Sequence, residues 1–215
     1  MRITKYTHSC LLVEDDNESG RVGLIDPGIY SYNSGSFDLK NINRLDDILI
    51  THEHQDHMYL PFIKEILAKF PNASIITTES AAQQLSGAGI SGVVSTTNNF
   101  VELFDAEHES MEPLFAVGQN TGVHYLGKVS HPGDSHSFKE TKDILALPVT
   151  GPWGTVATAA EIGISLKPKY IIPIHDWHLK NEARDGFYGW LEALFTKYEI
   201  DFIKPVDGQP FEINL

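Results

Sequence analysis

Apolar positions fall into short β-rich runs along the first half of the chain and then alternate with stretches at helical spacing. Strand-like runs cover residues 3–6, 10–14, 21–26, 47–51, 74–77, 101–104, 123–126, 144–147, 170–174 and 201–203. The acidic and polar stretch 15–20 between two of them predicts a hairpin turn. Leu60, Ile63, Ile66, Leu67 and Phe70 share one helical face. So do Ala183, Phe187, Trp190, Leu191, Leu194 and Phe195, which places Phe187 and Trp190 in a core. Weaker helices are expected over 156–164 and 80–85. Strands in a run followed by alternating strands and helices suit sheets packed together with helices outside, an α/β class. No linker-like composition, repeat or low-complexity segment interrupts the pattern, so residues 1–215 read as one domain.

Composition narrows the function classes. Hydrophobic residues make up 41% and charged residues 21%, a globular balance. No apolar run reaches the length needed to cross a bilayer, and the first residues lack the layout of a secretory signal, so a cytoplasmic protein is expected. Sixteen Lys and Arg against 29 Asp and Glu give a net charge of −13. Such a surface repels phosphate backbones and anionic lipids, which argues against nucleic-acid or membrane partners. It still admits a small anionic substrate, because bound divalent ions reverse the local field. The single cysteine, Cys10, lies in an apolar run and reads as a small core residue.

The sharpest feature is Thr51-His52-Glu53-His54-Gln55-Asp56-His57, placed between the apolar run Ile48-Leu49-Ile50 and the helix near Leu60. Three imidazoles and a carboxylate this close compete for hydrogen-bond partners. A divalent cation resolves the competition, since neutral imidazole and carboxylate are good ligands for zinc and its neighbours. His52 and His54, two apart, can face one ion, while Asp56 and His57 turn toward a second.

An H-x-H-x-D-H run after a strand resembles the signature of the metallo-β-lactamase superfamily, and the remaining motifs of that family follow in order. They are Asp26 in Leu24-Ile25-Asp26-Pro27-Gly28, His108 after the strand ending at Phe104, Asp134 in Gly133-Asp134-Ser135, and His175 after Ile171-Ile172-Pro173-Ile174. The resemblance implies a four-layer αββα sandwich of two mixed sheets flanked by helices. It implies that His52, His54 and His108 hold one ion, that Asp56, His57 and His175 hold another, and that Asp134 bridges both. Asp26 would orient the histidine loop, besides starting its own Asp-Pro-Gly turn. Thr7-His8-Ser9-Cys10, the stretch Ser130-His131-Pro132-Gly133-Asp134-Ser135-His136 and the Pro-Ile-His ending resemble, more narrowly, the L-ascorbate-6-phosphate lactonase-like branch. That branch is similar to many metal-dependent hydrolases and to the phospholipase D that acts on N-acylethanolamine phospholipids.

Two cations sharing a carboxylate can share a water, lower its pKa and make hydroxide available near neutral pH. The expected reaction is hydrolysis of a small ester, lactone or phosphoester, with Asp56 and Asp134 at the reacting centre. Zinc is expected first, with manganese or iron compatible with the same donors. Protonation of the leaving group needs an acid. His131 is the first candidate, through the branch resemblance, and His136, Asp176 and His178 follow by proximity to ligand positions. His8 reads as support for the ligands or as a packed ring, and His124 as structural. Trp153, in Thr150-Gly151-Pro152-Trp153-Gly154, either walls the pocket or covers the next helix. A nuclease of the RNase Z type, a phospholipid hydrolase, a flavodiiron-type oxidoreductase and a non-catalytic metal-binding module stand as alternatives, and the family resemblance allows a homo-oligomer.

Overall fold

The computed structural model describes residues 1–15 and 19–215. The first apolar runs form an antiparallel meander of β1 (Arg2–Lys5), β2 (Leu11–Glu14) and β3 (Val22–Ile25). The expected turn at 15–20 falls partly outside the described residues. On either side of it Asp15 N–H donates to Arg21 O, and Ser19 donates to the Asp15 carboxylate. After β3 come a short helix α1 (Ile29–Ser34), β4 (Asp47–Leu49), α2 (Leu60–Lys69), β5 (Ser74–Ile76), α3 (Glu79–Gly87) and β6 (Val93–Val94). Strands β3 to β6 pair in parallel. The apolar residues of β3 to β5 are buried, whereas Val94 of the edge strand β6 is exposed.

The second half opens with antiparallel β7 (Val101–Phe104), β8 (Gly122–Tyr125) and β9 (Val129–His131). It continues through β10 (Ile144–Pro148), α4 (Val156–Leu166), β11 (Tyr170–Ile174), α5 (Asn181–Phe195) and β12 (Asp201–Phe202), with β9 to β12 parallel. A last strand, β13 (Pro210–Glu212), returns to pair with β1. Among the described residues the result is two mixed sheets with helices, one of seven strands and one of six. They belong to two compact units, Met1–Asn98 with Val206–Leu215, and Asn99–Pro205.

Local chemistry explains the helix starts. Pro61 sits in the first turn of α2, where its missing N–H costs nothing, and Phe62, Ile63 and Ile66 form the buried stripe. Thr78 caps α3 by accepting from Ala81 N–H. Thr155 caps α4 in a reciprocal pair with Thr158. In α5 the expected stripe is corrected: Tyr188, Leu191 and Phe195 are buried, whereas Trp190 is 68% exposed, its ring tilted against that of Phe187. Tyr188 wins the inward position because it lies three residues before Leu191 and seven before Phe195, a closer helical match than Trp190.

Both units present polar residues just beyond parallel strand ends. Asp26 follows β3, and its N–H donates to Leu49 O of β4 at 2.8 Å. Thr51 and His52 follow β4, His175 follows β11, and Thr150 lies two residues past β10. At the opposite end of β4, buried Asp47 accepts a bidentate pair from Arg21, Nε at 3.0 Å and Nη2 at 2.7 Å, tying the meander to the parallel strands. Cys10 is buried in the core as expected. Burial pushes its thiol well above the ordinary range, and a hydrogen bond with Ser31 only partly offsets this.

Candidate metal centre

In the first unit the histidine loop is held from beneath by Asp26. This carboxylate is fully buried and accepts three hydrogen bonds: Thr51 N–H at 2.8 Å, Thr51 Oγ1–H at 2.8 Å and His57 Nδ1–H at 2.7 Å. The expectation that Asp26 both starts a turn and orients the loop agrees with this geometry. Gly28 N–H closes the turn on Asp26 O. The turn and the loop are clamped together by Ile29 N–H to Gln55 O at 2.8 Å and Tyr59 N–H to Pro27 O at 3.1 Å. Gly28 permits this approach: a Cβ there would lie 1.7 Å from Asp56 O.

The Thr51 hydroxyl has spent its proton on Asp26, so it accepts from His52 Nδ1 at 3.1 Å. That leaves the His52 Nε2 lone pair facing His54 Nδ1 at 3.1 Å. His57 is likewise held at Nδ1, and its Nε2 lies 3.8 Å from Asp56 Oδ2. His8, itself buried, donates from Nε2 to the same Asp56 oxygen at 3.2 Å, its ring edge-on to His57 and Tyr30. Candidate ligand atoms of His8, Asp56 and His57 all lie within 4.8 Å of one another, as do those of His52 and His54.

The second unit repeats the pattern. His108 Nδ1–H donates to Glu109 O at 2.7 Å, and its Nε2 lies 3.7 Å from Asp134 Oδ2. His175 Nδ1–H donates to Thr150 O at 2.9 Å, and its Nε2 lies 3.1 Å from Asp134 Oδ1. Four imidazoles, His52, His57, His108 and His175, are thus each held at Nδ1 by an oxygen, an arrangement that in the neutral ring leaves the Nε2 lone pair for a metal. Neutral rings with an oriented lone pair beside carboxylates are the donor set that divalent zinc, manganese or iron accepts. On that chemistry the residues fit metal ions.

Backbone conformation adds a signal that residue types do not carry. Six described residues other than glycine have positive φ, and three of them are His8 (74°), Asp26 (50°) and His175 (63°). Left-handed backbone is unfavourable for side chains with a Cβ, and such strain gathers at functional sites.

The candidate acids separate. His131 is buried and accepts from Gly133 N–H at Nδ1, which leaves its proton on Nε2. His136 donates from Nε2 to Pro148 O at 2.8 Å, and burial holds it below its ordinary pKa. Asp176 is buried against the hydroxyl of Tyr188, and His178 Nε2 lies 3.0 Å from Thr150 Oγ1. His124 is structural: it stacks on Phe104 and bonds Ser130. Trp153 meets candidate ligand side chains, with its Nε1–H on Asp134 Oδ2 at 3.2 Å and its ring against His175. Thr51, Gly28, Thr150 and Glu109 are not among the sequence-based candidates. Only the first two carry a signal, as neighbours of the His run and the Asp-Pro turn.

With this geometry in place, likeness to known proteins decides the family. The family model described as a beta-lactamase superfamily domain matches residues 2–175. The chain belongs to this superfamily. Protein Rv0786c of Mycobacterium tuberculosis is 28% identical over 91% of this chain and 93% of its own. A protein of Caldivirga maquilingensis named UPF0173 metal-dependent hydrolase is 28% identical over 87% of this chain and 89% of its own. Among solved structures, the metallo-beta-lactamase fold protein YhfI of Bacillus subtilis superposes with a TM-score of 0.69 at 14% identity, over 98% of each chain. The fold class is therefore the expected one, two mixed sheets with flanking helices. Among the described residues no helix is long and apolar enough to cross a membrane.

Proposed function

We propose that this chain is a metal-dependent hydrolase whose seven ligands, His52, His54, Asp56, His57, His108, Asp134 and His175, serve two divalent ions, and that it cleaves a small ester, lactone or phosphoester. The reading is carried by the four imidazoles that are held at Nδ1 and so present Nε2 to a metal. A relative named as a metal-dependent hydrolase supports the reaction class. The motif order supports the division of labour. His52, His54 and His108 would hold one ion, Asp56, His57 and His175 the other, and Asp134 would serve both. The family match spans both compact units, which supports residues 1–215 as one functional domain.

When bound, such a pair of ions lowers the pKa of a shared water and polarises the oxygen of the attacked group. The protein's own groups do the rest. Asp26 and the carbonyls of Glu109 and Thr150 keep the rings in one tautomer. We assign His131 to the leaving group, toward which its Nε2–H would donate a hydrogen bond as the bond breaks. Thr7-His8-Ser9-Cys10 and the Ser130–His136 motif support the lactonase-like branch, and the −13 charge favours a small substrate over nucleic acid.

The test is elemental analysis of the purified chain together with a panel of lactones, phosphodiesters and thioesters. Asp134→Ala and His54→Ala are expected to lose metal and activity while staying folded. Unchanged metal stoichiometry in both variants would reject the ligand set.

A further inference from the structure

Trp153 sits on a tight turn, Gly151 to Gly154, between β10 and α4. Gly151 N–H donates to Gly154 O at 3.1 Å, and Gly154 N–H donates back to Gly151 O at 3.3 Å. The indole folds over this turn. A Cβ on Gly151 would lie 2.9 Å from indole Cε2, and a Cβ on Gly154 would lie 2.7 Å from Cε1 of His136. His136 packs edge-on to the indole with ring centroids 5.0 Å apart, and its own Nε2 is anchored on Pro148 O. His175 packs on the indole as well, at 5.1 Å. The ring is therefore gripped by two histidines and a bare backbone, and its single donor points one way, to Asp134 Oδ2.

Asp134 has something to gain from that grip. Its Oδ1 faces His175 Nε2 at 3.1 Å, while its Oδ2 faces both His108 Nε2 at 3.7 Å and the indole N–H at 3.2 Å. The terminal torsion of an aspartate is soft and nearly two-fold, so nothing in the residue itself fixes its carboxylate plane. One directional N–H on one oxygen removes that freedom.

We infer that Trp153 is a positioning residue: its indole N–H sets the plane of the Asp134 carboxylate, so that each oxygen keeps its own side. The inference rests on Asp134 being the ligand proposed above. It also gives the two glycines a role, since each keeps clear the space that the indole or His136 occupies.

The experiment strips the purified chain with a chelator and titrates it with zinc in competition with a chromophoric chelator. Trp153→Phe keeps an aromatic ring and loses the donor. Gly151→Ala keeps the donor and pushes the indole aside. Trp153→Phe is expected to weaken zinc binding about tenfold, the lower end for a group that orients a ligand. Gly151→Ala is expected to weaken it in the same direction, and both metal-free variants should still unfold cooperatively. With the exposed Trp177 and Trp190 both replaced by Phe, the remaining indole emission is expected to change as zinc enters. Equal zinc affinity in the parent chain and Trp153→Phe, with Asp134→Ala deficient, overturns the role of Trp153 and leaves the ligand set standing. A lower melting temperature with unchanged zinc affinity overturns it too, by showing a packing role only. A parent chain that takes up no zinc overturns both this inference and the ligand set.

Discussion

Replacing Gly28 with alanine tests how the histidine loop is held. The added Cβ would lie 1.7 Å from Asp56 O, 2.2 Å from Asp56 C and 2.8 Å from His57 N, where real contacts essentially never fall below 3.0 Å. Backbone lies on both sides, so no flexible side chain can swing away. The loop must retreat from the Asp-Pro-Gly turn by at least about 1.3 Å, the difference between 1.7 and 3.0 Å. Metal–ligand distances tolerate only about ±0.2 Å, so Asp56 and His57, if they are ligands as proposed, could not both hold an ion after that movement. The clamps from Ile29 N–H to Gln55 O and from Tyr59 N–H to Pro27 O stretch with the same movement. At about 1 kcal/mol for each hydrogen bond, stability should fall by about 2 kcal/mol. The assay is metal content after dialysis against limiting zinc, with a urea midpoint on the same sample. The expected result is loss of one ion per chain from a protein that still unfolds cooperatively. Gly28→Ala with full metal content and wild-type affinity would refute the account.

Other outcomes follow from the same contacts. A Cβ added at Gly186 or Gly189 in α5 would meet nothing within 4 Å, so alanine at either should raise stability by about 0.5–1 kcal/mol in the same urea assay. Asp26→Ala strands three buried donors at about 1–3 kcal/mol each, whereas Asp26→Asn keeps an acceptor and tolerates left-handed backbone. The alanine variant should unfold at clearly lower urea than the asparagine variant, and equal midpoints would contradict this. Burial, then the Lys142 ammonium, depresses the imidazole of His124, with Glu140 and Glu102 opposing. On acidification the unfolded chain therefore takes up this proton first, and stability is lost as pH falls through about 6.5 toward the depressed folded value. His124→Phe should shallow the fall in urea midpoint between pH 7 and 5, in part only, because His136 and His178 are depressed by burial as well. An unaltered slope would remove His124 from the explanation.

The candidate ligands stand out in the sequence because titratable residues crowded into a few positions after apolar runs cannot be placed cheaply without a partner. Their supports are less legible for reasons that differ case by case. The carbonyls of Glu109 and Thr150 are backbone atoms that any residue would supply. The left-handed conformations at His8, Asp26 and His175 carry no mark, since only glycine advertises positive φ by its identity. Among the elements, α1 gives no signal because Ile29–Ser34 buries only Ser31 and shows no apolar period. The strand β9 is three residues long, and β13 begins with a proline at a sheet edge, where periodicity has too few positions to register. Trp190 misleads because its bulk and apolarity outweigh its angle in the pattern, although its neighbour Tyr188 takes the inward place.

In both units the strands flanking the candidate ligands run in the same direction, so the reactive side chains hang from connections that leave one rim of each sheet. The opposite rim carries anchoring pairs such as Arg21 with Asp47. Chemistry and scaffolding thereby occupy separate stretches of the chain. Grafting a relative's segment into the β7–β8 connection beyond Glu109 would exchange what surrounds the candidate ligands while leaving His108 and the ladders untouched, which makes that connection the natural handle for redirecting selectivity in the laboratory.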